Sequence, residues 1–212
     1  LSAKTQAKAD RAAEVAAEKA QRNDDIIKVE PQGEFMEAVR KAMPEDSILI
    51  SGMTQMGYYS RAHYPVYEPR TFITSSYSGN LGFAYPTALG AKVAQPNKAV
   101  VCISGDGGFM YNSQELATAA QYGINVVVVV FNDNAYGNVM RDQVNMFDGR
   151  EYGAEVHNPD FMKLAEAFGV RGVRVEGGAP ELGKAVQESL GIEAPTLIEV
   201  PVGPMPNPFR DY

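Results

Sequence analysis

The chain has a single cysteine, Cys102, so no disulfide can form within it. That thiol sits in the apolar run Ala99-Val100-Val101-Cys102-Ile103 and reads as a buried strand residue. With no disulfide framework, a reducing compartment is expected, and cytoplasmic residence with it. Positive charge is also short: 19 Lys and Arg against 26 Asp and Glu leave a net charge of −7. A nucleic-acid partner is not expected, because a phosphate backbone calls for a basic face. No stretch approaches the ~18 apolar residues of a membrane helix, and none reads as a signal peptide. There is no internal repeat and no low-complexity tract, although 20 Gly and 13 Pro promise many turns. Histidine is scarce as well. His157 reads as a surface loop residue, and His63, in the tyrosine-rich stretch from Tyr58 to Tyr67, as a packed one.

What is present is ordinary for a globular protein: 45% hydrophobic and 21% charged residues. Residues 1–30 read as a helical, Ala/Lys/Glu-rich linker with little to bury, ending near Pro31-Gln32-Gly33. The chain opens with Leu1, not Met, so a fragment with a preceding domain missing is the expectation. From Glu34 onward the pattern alternates. Helices are expected over Glu34–Met43, Pro86–Ala94, Phe109–Tyr122 with Gly123 as C-cap, a segment with Asn158 as N-cap and Pro159 at its first position that stops at Gly169, and Pro180–Leu190. Strands are expected over Ser47–Ser51, Thr71–Thr74, Ala99–Ser104, Asn125–Phe131, Gly172–Glu176 and Thr196–Val200. Asn125–Phe131 is β-branched almost throughout, without alternation, as in a central parallel strand buried on both faces. The fold class is therefore α/β: a doubly wound, mainly parallel sheet of about six strands with helices on both faces. The tail from Pro201 to Tyr212 is expected to be extended.

Ligands of such sheets sit beyond the carboxyl ends of the strands. Ser104-Gly105-Asp106-Gly107-Gly108-Phe109 follows a strand and opens a helix. Its glycines allow close backbone approach, and the N–H groups of Gly107 and Gly108 suit a phosphate. An aspartate among them would repel a bare phosphate, but fits if a metal lies between. The next strand ends at Asn132-Asp133-Asn134-Ala135-Tyr136-Gly137. A right-handed crossover makes the two strand ends neighbours, so oxygen ligands converge on one point. Such ligands suit Mg²⁺, or Ca²⁺.

In these segments the sequence resembles the thiamine-diphosphate-dependent enzymes, and within them the acetolactate synthase group. The resemblance extends to Gly79-Asn80-Leu81-Gly82-Phe83-Ala84-Tyr85-Pro86, with the Ala-rich helix after it, and to Glu115-Leu116. It covers roughly residues 31 to 205, so 31–212 reads as the C-terminal, cofactor- and metal-binding domain with its tail. The resemblance implies Asp106 and Asp133 as side-chain metal ligands and Ala135 as a carbonyl ligand. It implies Gly107, Gly108 and the amide of Tyr136 around the diphosphate. The Gly79 carbonyl would take the cofactor's amino group, Leu81 would be the wedge under the thiazolium, and Thr54 would add a phosphate contact. The family usually has Asn where Asp133 stands; a register shift would move the role to Asn132 or Asn134.

The resemblance also implies what this chain does not carry. The glutamate that activates the cofactor belongs to a pyrimidine-binding domain of the same or a neighbouring chain. This chain is thus expected to be inactive alone and to lack catalytic residues of its own. Its parent would be a homo-oligomer acting on a small 2-oxo acid as a carboligase or carboxy-lyase. Two other readings stand beside it. One is a subunit of a naturally split decarboxylase, against which the linker and Leu1 speak. The other is a metal- or nucleotide-binding domain without catalysis, for which a thiazolium seat at Gly79 and Leu81 would have no use.

Overall fold

The computed structural model describes residues 11–21, 29–75 and 78–208. Residues 11–21 form a helix, α1, whose residues are all exposed. Residues 1–10 and 22–28 of the expected linker, and 209–212 of the tail, lie outside the described residues. In chain order the remaining elements are α2 (Gln32–Ala42), β1 (Ile48–Ser51), α3 (Gln55–His63), β2 (Phe72–Thr74), α4 (Ala84–Ala94), β3 (Val100–Gly105) and α5 (Asp106–Met110). Then come α6 (Glu115–Tyr122), β4 (Val127–Asn132), α7 (Gly137–Met146), α8 (Phe161–Ala167), β5 (Arg171–Arg174), α9 (Gly178–Leu190) and β6 (Thr196–Pro201).

The six strands form one sheet in the order β2-β1-β3-β4-β6-β5, and every pairing is parallel. The expected doubly wound sheet is what the chain forms. Its β-branched strands are buried on both sides, and alternate residues supply two cores. Val127, Val129 and Phe131 of β4 pack with Phe35 and Val39 of α2, Met56 of α3 and Leu182 of α9. Val128 and Val130 face the other way, toward Leu89 of α4, Phe109 of α5, Leu116 of α6 and Phe161 of α8. Cys102 lies in this second core, fully buried, and burial raises its thiol pKa. Among the described residues no helix is long and apolar enough to cross a membrane.

Two local expectations fail for the same physical reason: a short polar side chain has a better partner elsewhere. The helix expected over Phe109–Tyr122 is broken between Met110 and Glu115, where the Asn112 amide Nδ2 donates to the Gly82 carbonyl at 2.8 Å. Its C-terminal end holds, with Gly123 left-handed at φ 59°. The second failure is the cap of α8. Asp160, not Asn158, is the N-cap, and its carboxylate accepts from the N–H groups of Met162 and Lys163. Asn158 is used in the site instead. Two helices had no sequence signal, α3 and α7. Helix α3 depends on Gly57, where a Cβ would stand 1.9 Å from the Gly52 carbonyl oxygen, so only glycine lets the helix sit this close to the end of β1.

Candidate functional site

The carboxyl ends of β1, β3 and β4 open into a cleft of about 210 Å³. Its lining includes Thr54, Gly79, Leu81, Asp106, Gly107, Gly108, Asp133, Ala135 and Tyr136, but neither of the alternatives Asn132 and Asn134. Each strand end contributes differently. After β1, Thr54 stands at the N-cap of α3 without capping it, and its Oγ1 would lie 3.3 Å from a Cβ on Gly105. After β3 the chain turns directly into α5. Gly107 and Gly108 fall in its first turn, where backbone N–H groups have no partner inside the helix. Leu81, 39% exposed, lies between Gly79 and Gly82, which have φ of 62° and 79°.

Asp106 is the first residue of α5 and almost fully buried. Its carboxyl group is within hydrogen-bonding reach of Asp133 from the loop after β4. Burial, then the charge of Asp106, pushes Asp133 up to about 6. A buried carboxyl group and a half-buried one held this close repel one another unless a proton or a cation lies between them. Gly137 makes room for one of them, since a Cβ there would meet Asp133 Oδ2 at 2.5 Å. Among the described residues no group of three His, Cys, Asp or Glu is placed to hold a metal ion.

The loop after β4 is shaped by its neighbours. Asn134 is left-handed at φ 55°. Its carbonyl accepts from the Val156 N–H at 2.8 Å, and the Tyr136 N–H donates to the Ala154 carbonyl at 2.8 Å. Neither bond uses the Ala135 carbonyl. The Tyr136 N–H, expected at a diphosphate, thus donates to Ala154 in this structure. What Tyr136 gives the cleft is its ring, which lies so close over Gly107 that a Cβ there would stand 2.5 Å from Cε1. Burial, and then a hydrogen bond with Tyr111, raises its phenol pKa.

Residues the sequence did not single out complete the surroundings. Gln55, Asn138 and Val139 line the cleft, as do Val202 and Met205 of the tail. The tail is held by Gln32, whose Nε2 donates to the Pro206 carbonyl at 2.8 Å. Asn158 lies behind the metal-ligand candidates. The Asn-Pro pair there looks like a helix start, so nothing in the sequence marked it for the site. His63 is not part of the cleft; it packs on Tyr59 with ring centroids 4.8 Å apart.

A parallel α/β sheet with paired carboxylates and a glycine cradle at its carboxyl edge defines a class of anionic-cofactor sites. Residues 52–200 match the family described as thiamine pyrophosphate enzyme, C-terminal TPP binding domain, and the chain belongs to it. It is 38% identical over 166 residues to an acetolactate synthase large subunit of Haemophilus influenzae, covering 78% of this chain and 29% of that protein. It is 36% identical over 165 residues to a probable acetolactate synthase large subunit of Methanococcus aeolicus, covering 76% and 27%. Among solved structures, a thiamine diphosphate-dependent 4-hydroxybenzoylformate decarboxylase of Rhodococcus jostii RHA1 superposes with a TM-score of 0.73 at 33% identity. That match covers 79% of this chain and 32% of the other. The chain thus spans under a third of the length of these relatives.

Proposed function

We propose that this chain is the diphosphate- and cation-holding part of an acetolactate-synthase-like 2-oxo acid decarboxylase or carboligase. The observation that carries the reading is the meeting of Asp106 and Asp133 beside the Gly107–Gly108 turn. A Mg²⁺ ion fits these residues, because it would relieve the repulsion of the two carboxylates, and Ca²⁺ offers the same charge. Asp106, Asp133 and the Ala135 carbonyl would be its protein ligands, with diphosphate and water oxygens completing the shell. Asp133 lines the cleft where Asn132 and Asn134 do not, which favours it as the second side-chain ligand.

Gly107 and Gly108 would hold the diphosphate through N–H groups, and Thr54 through its hydroxyl. Leu81 would seat the thiazolium, and the Gly79 carbonyl would receive the amino group of the pyrimidine. Bound thiamine diphosphate supplies the carbanion chemistry; the protein positions it and keeps water out.

The cleft is small against the ~300–1,000 Å³ of ordinary ligand sites, so it encloses part of a cofactor. Its rim is apolar and open: Leu81 and Val139 are both exposed. Both features suit a second wall from a pyrimidine-binding domain, which would bring the activating glutamate, in a homo-oligomeric parent. The chain alone then binds and does not turn over substrate. The named reactions of the relatives differ, including a sulfoacetaldehyde acetyltransferase of Castellaniella defragrans at 31% identity, so the substrate is proposed only as a small 2-oxo acid. Calorimetric titration with thiamine diphosphate, ATP and NAD, each with Mg²⁺, tests the reading. Mg²⁺-dependent preference for thiamine diphosphate is expected, and preference for a nucleotide would overturn it.

A further inference from the structure

Asn158 lies outside the cleft lining but against its most charged part. Its Nδ2 is 2.5 Å from Asp106 Oδ2, 3.0 Å from Asn132 Oδ1 and 3.2 Å from Asn134 Oδ1. An amide nitrogen carries two hydrogens, so three acceptors compete for two bonds. The Asn158 Oδ1 is buried and has no partner among the described residues. One side chain thus ties the loop after β3 to the loop after β4 and leaves its own acceptor unused. Its own position is fixed from behind. Asn132 Nδ2 donates to Glu199 Oε1 at 2.8 Å, and Glu199 Oε2 accepts from Arg174 Nε at 2.8 Å. Arg174 also reaches Asp160, the cap of α8, at 3.3 Å. The ends of β3, β4, β5 and β6 and the start of α8 are joined in one chain of bonds.

We infer that Asn158 is a positioning residue for the cation site, a clamp that sets how Asp106 and the loop after β4 present their oxygens. This rests on the functional reading above. By occupying Asp106 Oδ2, the amide leaves the opposite oxygen of that carboxylate for a cation, so Asp106 binds through one atom. By holding Asn132 and Asn134, it turns the two amides flanking Asp133 away from the cleft. Asp133, between them in sequence, is then the side chain delivered inward. The short contact to Asp106 also places a donor beside a buried carboxylate that already faces a second one.

The clamp predicts a change in selectivity, not only in strength. Mg²⁺ requires near-ideal octahedral geometry at short distance, whereas Ca²⁺ tolerates looser and more variable ligand sets. In the 212-residue chain, Asn158→Ala should weaken Mg²⁺-dependent thiamine diphosphate binding roughly tenfold, as loss of an outer partner of a metal ligand does. Ca²⁺-dependent binding should fall several-fold less. The readout is calorimetry of thiamine diphosphate binding at stepped Mg²⁺ or Ca²⁺ concentrations, with circular dichroism to compare folds. Asn158→Ser, which keeps one short donor, should lie between wild type and Asn158→Ala, and serves if the alanine variant does not fold. Equal losses with the two ions, or no loss, would overturn the clamp while leaving the functional reading intact. Failure of the wild-type chain to bind thiamine diphosphate with either ion would overturn both.

Discussion

The loops that follow β3 and β4 deliver the two facing carboxylates by opposite means. After β3, the backbone does the work: the strand runs straight into α5, Asp106 is its first residue, and glycines supply the space. After β4, side chains do it: Asn134 is left-handed, and Asn132 and Asn134 are held from outside by Asn158. The backbone position of Asp106 is therefore set by the sheet itself, with Asn158 touching only its carboxylate. The other ligand position is set by a network that single substitutions can loosen by degrees.

The largest effect should come from the backbone-built side. Asp106→Ala should lower Mg²⁺-dependent thiamine diphosphate affinity by more than about a hundredfold, beyond the range for outer partners of a metal. Retention of wild-type affinity in calorimetry would mean that Asp106 is not a ligand. On the same loop, Gly107→Ala puts a methyl group into the Tyr136 ring. Overpacking of this kind costs about 1–3 kcal/mol, and roughly a tenfold loss of cofactor affinity is expected. Combining it with Tyr136→Ala should restore most of the stability in thermal denaturation, since the clash then has no partner.

On the side-chain-built loop the effects should be smaller, and one should reverse sign. Asp133→Asn removes one of two facing negative charges, so cofactor should bind at lower metal concentration, by several-fold, if Asp133 is a ligand. Unchanged metal dependence would exclude it. The same variant bears on pH. With its folded pKa raised to about 6 from 3.8, Asp133 favours the fold while protonated. That contribution is fully present below the ordinary value and is lost as pH rises through about 4 to about 6. Partial exposure limits the loss to roughly 1 kcal/mol in the cation-free chain. Denaturation of Asp133→Asn should lack this decline, and Mg²⁺ should suppress it in the wild type. Smallest of all, Glu199→Gln keeps an acceptor for Asn132 but removes the charge opposite Arg174. It should shift cation affinity less than about twofold while lowering stability by roughly 1 kcal/mol, visible in urea unfolding.

This contrast also explains what the sequence made legible. The sheet was readable because β-branched runs such as Val127–Val130 have one stable solution, burial between two helical layers. The loop after β3 was readable because glycines around one aspartate at a strand end leave few alternatives. The loop after β4 was only half readable. Its residues could be named, but the fate of each amide depends on partners far along the chain. Asn158 is 52 residues from Asp106, and Glu199 is 67 from Asn132. Asn158-Pro159 carried the local signature of a helix cap, and tertiary hydrogen bonding took the side chain elsewhere. Helix α7 gave no periodic signal because it has no buried residue to set one. Helix α3 was hidden by the close approach of Gly57 to Gly52, which no local pattern announces.

The all-parallel strand order has a kinetic meaning. No pair of adjacent strands in the sheet is joined by a hairpin, so every neighbour must be reached through a crossover, and contacts of long sequence separation dominate. Thr54, Asp106 and Asp133 come from three such strands and share a wall only after the crossovers have closed. Partly folded chains therefore have no version of the cleft to offer. Any ligand of the cleft acts on the native state alone, and stabilises it by about 2.7 kcal/mol at a hundred times its dissociation constant. For this chain, cofactor supply and folding yield are then coupled quantities, since the ligand shields from aggregation only those molecules that have finished assembling the sheet.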